Sequence, residues 1–600
     1  MKLLSTGGLA RASALRPRLV IGLWLLTIVI SVVLINVLLG SALTTDFTFT
    51  NTPEAQKATN LLEDLRGHPR STNEVIIIKS DTLTVDDPIF KKTVLRIYND
   101  LNELGHAVIR EGTLANYYQN GNEFLVSQDR RSTIIPLIMG GNYDDATDNI
   151  GQVIDVVEAT VGSPGLKVLI TGQATIAQDS KEISQEDLET GEKFGVSIAL
   201  IILVLVFGAL VAALVPILLA IASIVIALGV ASVIGQGFQL SFFVTNIIFM
   251  IGLAVGVDYS LFIVARYREE RGRNLGKLDA IGRTGETATR TVLFSGMAVV
   301  LGLIGMLFVP FNVFIALGLG AILVVVSSVL AAMTLLPAVL SVLGDNIDRP
   351  SIPWIGKMQV KSDTAAPSGF WDQVSRRVMH KPLISLLLAG SLLAAATIPF
   401  VDLHIGFAGV STFPDDTRSK QGFVVLDEKF SAGNVTPAYI VINGDINSHA
   451  IQNEILTLKT LLASDDAFGQ PVTLDVSAAG DIANLSVPVT GDSATEKAKN
   501  AITKLRTQYV PDAFRDSQVN VYVGGETAYT MDFFDSTKDA AWVVFPFVLS
   551  VSFILLMLVF RSIIVPIKAI ILNLLAVAAT YGLLVIVFQK GFLADTLGFQ

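Results

Sequence analysis

Long apolar runs and two extended polar stretches alternate along the chain. Nine runs are long enough to cross a bilayer, near residues 19–39, 194–210, 215–234, 242–265, 291–309, 313–336, 383–400, 541–560 and 569–588. About 20 residues rising 1.5 Å each match a hydrocarbon core about 30 Å thick. Lys2, Arg11, Arg16 and Arg18 precede the first run and Gly40-Ser41-Ala42 follows it, as in a signal peptide. That run exceeds a usual signal core and an equivalent segment recurs later, so an uncleaved helix is expected.

The polar stretches change period. In the first, 74–79 and 132–139 and 166–171 read as strands, while 90–104 and 147–161 read as helices. In the second, strands are expected at 438–443 and 519–523, with helices at 450–463 and 494–509. Strand–helix–strand units occurring twice in each point to split βαβ, ferredoxin-like α/β domains. Glu182, Glu186, Asp187 and Glu189, just before the second run, read as a solvated helix face.

The pattern repeats. Ile170-Thr171-Gly172-Gln173-Ala174 corresponds to Val523-Gly524-Gly525-Glu526-Thr527, and Val204-Leu205-Val206-Phe207 to Met557-Leu558-Val559-Phe560. Gly172 and Phe207 lie 35 residues apart, as do Gly525 and Phe560. Arg16-Pro17 before the first run matches Lys381-Pro382 before the seventh. One unit is thus a helix, a polar domain and a cluster of five helices. Six crossings return the chain to its starting side, so both polar domains face one compartment, in a parallel repeat about an axis normal to the membrane. Gly237-Phe238-Gln239 resembles Gly598-Phe599-Gln600. On that register the chain holds nine of twelve expected helices, its second repeat is truncated before the tenth, and it is expected to be a piece of a longer protein. The predicted organisation is 1–40 for the first helix, 41–193 for the first polar domain and 194–343 for helices two to six. A linker at 344–382, helix seven at 383–402, the second polar domain at 403–540 and helices eight and nine at 541–600 complete it.

Composition agrees with a polytopic α-helical membrane protein: 51% of residues are hydrophobic and the mean hydropathy is +0.59. Charge then orients it. Residues 41–193 carry 24 acidic against 13 basic side chains and 403–540 carry 18 against 10, whereas the remainder is basic. The basic loops include Arg266, Arg268, Arg271, Arg273, Lys277, Arg283 and Arg290. The positive-inside rule therefore predicts a cytoplasmic amino terminus and two extracytoplasmic domains. The short connection 211–214 carries no charge, so its side follows from counting spans. The acidic balance argues against nucleic acid as a partner. With no cysteine, and five histidines lacking close acidic or histidine partners, neither a disulfide framework nor a metal site nor any other cofactor is expected.

One residue breaks the apolar pattern chemically. Asp258 is the only carboxylate inside any of the long runs, in Gly256-Val257-Asp258-Tyr259-Ser260-Leu261-Phe262. A charge near a bilayer centre costs roughly 2.5–3.5 kcal/mol on insertion scales. Such a residue is kept where something binds or exchanges a proton; a carboxylate merely satisfied by helix packing is the competing reading. Protonation removes most of the penalty, so the two forms favour different helix packings. Tyr259 can hydrogen-bond the carboxyl group in either form. Gly252 and Gly256 form a small-xxx-small face for close approach of another helix, expected to be the tenth. Nothing resembling a Walker loop or a nucleophile elbow is present, so neither ATP-driven pumping nor enzymatic hydrolysis is expected.

The run from Gly252 to Glu270, with Gly256-Val257-Asp258-Tyr259-Ser260 at its centre, resembles the resistance–nodulation–division superfamily and, within it, the MMPL-type transporters. Arg290-Thr291-Val292-Leu293-Phe294-Ser295-Gly296, Leu335-Leu336-Pro337-Ala338 and Thr412-Phe413-Pro414-Asp415-Asp416 extend the resemblance. It implies a multi-pass plasma (inner) membrane transporter whose polar domains are porter domains, with protons as the coupling ion. Lipids or other hydrophobic or amphiphilic compounds would be the exported cargo, and membrane lipids its surroundings. Asp258 and Tyr259 would form the proton relay, partnered by a second Asp–Tyr pair on the tenth helix. Ser295 matches a small polar residue facing that site, although serine also serves plain helix packing. The same superfamily includes protein-translocation accessories and sterol-responsive regulators, and a non-exporting accessory or sensor is the alternative. A monomer and a homotrimer are both open.

Overall fold

The computed structural model describes residues 5–66, 71–160, 165–348, 370–406, 409–430, 437–469, 472–490, 493–515, 517 and 519–594. Most of the expected linker 344–382, including Arg349, Lys357 and Lys361, lies outside them, as does Gly598-Phe599-Gln600.

Among the described residues, nine helices are long and apolar enough to cross a membrane: Pro17–Ala42, Gln173–Phe207, Leu210–Ile234, Phe243–Gly272, Lys277–Phe308, Asn312–Ile347, Pro382–Asp402, Glu526–Phe560 and Ile564–Gln589. They are called spans one to nine. Prolines at the first helical position start spans one and seven, where a missing N–H costs nothing. Spans two and three are separated by only Gly208 and Ala209, not by the expected connection at 211–214. Gly208 ends the helix in the left-handed conformation (φ 64°), which turns the chain within one residue. Spans two and eight are each a single 35-residue helix that begins at most one residue after a strand.

Among the described residues, two main sheets and a two-stranded pair lie on one side of the spans. Strand β1 (Leu43–Thr44) pairs in parallel with β5 (Leu240–Ser241), bringing the ends of spans one and three and the start of span four together. The first main sheet has the order β3-β2-β4, from β2 (Asn73–Lys79), β3 (Ser132–Ile138) and β4 (Lys167–Gly172). Both β3 and β4 run antiparallel to β2, with Ile76 opposite Ile135 on one side and Ile170 on the other. They are therefore parallel to each other, joined through helix Tyr143–Glu158, with β2 inserted between them. The second sheet has the order β7-β8-β6-β9, from β6 (Ala438–Asn443), β7 (Thr473–Val476), β8 (Ile482–Val487) and β9 (Asn520–Gly524). It repeats that insertion: β8 and β9 flank β6, both antiparallel to it, and β7 adds a hairpin edge.

The sequence order of the two polar regions is not their packing order. Helix Glu54–Arg66, from the first region, packs on the second sheet, against β9 and β6. Helix Arg418–Lys429, from the second region, packs on the first sheet, against β4 and β2. Both contacts are tied by buried polar groups. Asp532 accepts from the backbone N–H of Ala55 (2.7 Å) and from Arg506 (2.6 Å). Asp179, 3% exposed, accepts from the backbone N–H of Ser419 (2.8 Å) and pairs with Arg418 (3.0 Å). Glu182, expected to be solvated, also pairs with Arg418. The two bodies are thus interlocked, each borrowing one helix from the other polar region to cover its sheet.

Candidate functional site

Span four starts beside β5 and so runs from the sheet side to the far side of the molecule. Its faces follow from 100° per residue. Gly252, Gly256 and Ser260 (i, i+4, i+8) are buried on one face, while Asp258 lies well round the helix from them. A Cβ on Gly256 would sit 2.8 Å from the Cα of Ala220 in span three. One on Gly252 would sit 2.4 Å from Ile224 and 2.7 Å from Val324. The glycine face thus seats span four against spans three and six of its own bundle. The expectation that it receives the tenth helix is corrected: that face is filled.

Asp258 is on the open side. Its carboxylate is exposed and, among the described residues, has neither a hydrogen-bond nor an ion-pair partner. One residue later Tyr259 turns inward, 6% exposed, into the main apolar cluster of the bundle. Its hydroxyl lies beside Gly296 of span five, near the side chain of Ser295. Ser295 is exposed on the same side as Asp258. The structure so brings Asp258, Tyr259 and Ser295 together where spans four and five meet, and separates them from Gly252 and Gly256. An ionisable carboxylate next to tyrosine and serine hydroxyls can take up a proton and pass or stabilise it.

A second carboxylate was not singled out by the sequence pattern. Glu74, at the start of β2, is fully buried and accepts from the backbone N–H groups of Ala174 (2.6 Å) and Thr175 (3.2 Å) and from the Thr175 hydroxyl (2.6 Å). It therefore caps the N-terminus of the helix that becomes span two. Its side chain passes over Gly172, where a Cβ would lie 2.5 Å from the carboxyl carbon. Burial pushes its pKa up to about 7, the hydrogen bonds from Thr175 and Ala174 pull against it, and the charge of Asp179 adds to the rise.

Residues 46–385 and 412–597 match the model of the MMPL family. The chain is 30% identical over 484 residues to the mycolic acid-containing lipids exporter MmpL11 of Mycolicibacterium smegmatis, covering 79% of this chain and 50% of that protein. It is 30% identical over 439 residues to the heme uptake protein MmpL11 of Mycobacterium tuberculosis, covering 72% of this chain and 44% of that one. It is 25% identical over 604 residues to the probable trehalose monomycolate exporter MmpL3 of Mycobacterium leprae, covering 94% and 62%. The chain spans about half the length of the first of these relatives. With nine apolar helices, two split sheets and a family match over most of its length, the chain belongs to the MMPL family of multi-pass membrane proteins.

Proposed function

We propose that this protein exports lipids or other hydrophobic compounds from a plasma membrane, with inward proton movement through Asp258 driving the cycle. The observation that carries this reading is the placement of Asp258: a carboxylate within a span, without an ion-pair or hydrogen-bond partner among the described residues, close to Tyr259 and Ser295 and on an open helix face. A carboxylate there is costly when charged and cheap when neutral, so its proton occupancy changes which packing is preferred. Tyr259 and Ser295 supply hydroxyls that can hydrogen-bond the carboxyl group in either form.

Lipid cargo is supported by two relatives named as lipid exporters. The split βαβ sheets support porter domains of ferredoxin-like fold, and the two strand-to-span helices of equal length support a parallel internal repeat. The basic ends of spans opposite the sheets support an amino terminus in the cytoplasm and sheets outside.

The test is gradient-driven movement of a fluorescent lipid in proteoliposomes, wild type against Asp258→Asn. Flux that needs the pH gradient and collapses in the variant is expected. Equal flux in the two proteins overturns the role of Asp258. Absence of flux under gradients of either sign overturns transport and favours the accessory or sensing role. Because one relative is named for heme uptake, cargo is loaded on each side in turn.

A further inference from the structure

At the far end of span four, opposite the sheets, lies a cavity of about 640 Å³ lined by Arg266, Arg273, Arg283 and Arg290. We propose that it is a binding site for the phosphate headgroup of an anionic phospholipid in the membrane leaflet on that side. The proposal does not depend on the export reading, since it concerns a different end of the molecule and requires no flux.

Charge is the first argument. Arg266 and Arg273 share Glu269 and Glu270, at 2.5–3.3 Å. Arg283 and Arg290 have no ion pair among the described residues, and the only carboxylate on the wall is Glu286. Residues 1–4, next to the cavity in sequence, are Met-Lys-Leu-Leu and bring no negative charge. The Nε of Arg266 is buried without a hydrogen-bond acceptor, a donor left over from its carboxylate pairs. Two helix N-termini add partial positive charge: Thr6–Leu15, whose cap Ser5 lines the cavity with Thr6, and Ala288–Leu303, preceded by Thr287 on the wall. Guanidinium forks, hydroxyls and helix N-termini are the donors that phosphate oxygens take.

The wall decides between a lipid and a free phosphate. One turn beyond Arg290 the cavity is lined by Leu293 and Phe294, which belong to the apolar part of span five. Arg290 lies over the Phe294 ring, 5.6 Å from its centroid. Exposed Phe262, Phe294 and Met297 continue the apolar surface along spans four and five toward Asp258. An anionic head among the arginines with hydrocarbon chains along this strip satisfies both halves of the site. Inorganic phosphate would use only the first.

The test titrates the purified protein in detergent with short-chain phosphatidylglycerol, with phosphatidylcholine of the same chains, and with inorganic phosphate as competitor. Phosphatidylglycerol is expected to bind about tenfold more tightly than phosphatidylcholine, and Arg283→Gln/Arg290→Gln to remove that preference. Arg376→Gln/Arg377→Gln, on helix Phe370–His380 away from the cavity wall, removes the same charge and is expected to leave the preference intact. Equal binding of the two lipids overturns the site, as does an unaffected Arg283/Arg290 variant or an equally affected control. Displacement of phosphatidylglycerol by stoichiometric inorganic phosphate overturns the lipid assignment in favour of a phosphate site. Should the glutamine pair fail to fold, Arg283→Lys/Arg290→Lys keeps the charge but loses the fork, and a reduced preference is still expected.

Discussion

Asp258 and Tyr259 are neighbours in sequence that the helix sends to different environments, one open and one buried. Asp258 was legible because the bilayer penalises a lone carboxylate in an apolar run, whatever surrounds it. The partner of the glycine face was not legible, because small-xxx-small states that a helix comes close without stating which one. The close contact makes Gly256 a sharp test of packing. Gly256→Val would drive two methyl groups into the backbone of Ala220, and we expect a loss of about 1–3 kcal/mol, read as a lower unfolding temperature in detergent. Glu74 escaped the sequence reading because a strand that begins with a glutamate looks ordinary until its burial is known. Its raised pKa has a definite sign. Between about 4.5, the ordinary value, and about 7, the folded protein keeps a proton that the unfolded chain releases. The stabilisation from this group is therefore fully present below that window and is lost as pH rises through it, by about 3 kcal/mol in all. Hydrogen exchange of residues 173–180 should quicken from pH 5 to pH 8 beyond its intrinsic base dependence, and Glu74→Gln should remove that excess.

At the scale of elements, hydropathy located the spans but not their ends. The expected second span began at 194, where apolar residues begin, yet its helix starts at Gln173, because a helix continues through polar sequence wherever nothing caps or breaks it. Strands rich in Ile and Val, such as β2 and β6, were readable; the four-residue β7 is too short to show a period, and β8 was missed because its alternation, Ala483-Asn484-Leu485-Ser486-Val487, is brief and holds no run of branched apolar residues. The crossed helices were missed for a different reason. Glu54–Arg66 and Arg418–Lys429 are short and polar, and no local pattern reveals that the surface each covers belongs to the other half of the chain. The exchange rests on close backbone approach at Gly422, where a Cβ would lie 2.5 Å from the carbonyl oxygen of Ile170. Gly422→Leu should lift helix Arg418–Lys429 from β4 despite the Asp179–Arg418 pair. Mass-resolved hydrogen exchange should then show faster labelling in 418–429 and in 167–172, with 54–66 unchanged. Unchanged labelling at 418–429 would mean that the helix is held by its ion pairs and not by its seat on the sheet.

For the molecule as a whole, the connection between sheets and spans matters most. Span two follows β4 directly and span eight follows β9 after Gly525 alone, and each helix is held at its sheet end by buried carboxylates, Glu74 and Asp179 on one and Asp532 on the other. Span two, an unbroken helix of 35 residues, is roughly 52 Å long and transmits displacement at its membrane end to the sheet it carries, whereas span eight has Pro546 within its helix. If proton exchange at Asp258 repacks the bundle, span two is the most direct mechanical route to the interlocked sheets. The exposed segment around Thr190, between the sheet end and the apolar part of span two, is where that route can be cut without touching either body. Thr190→Pro removes a backbone donor and kinks the helix at a local cost of about 3 kcal/mol. Exchange protection in β2, β3 and β4 should stay at the wild-type level while gradient-driven lipid flux falls severely. Flux that persists with a kinked span two would place the transmission elsewhere, in span eight or in the β1–β5 contact that joins the ends of spans one and three to the start of span four.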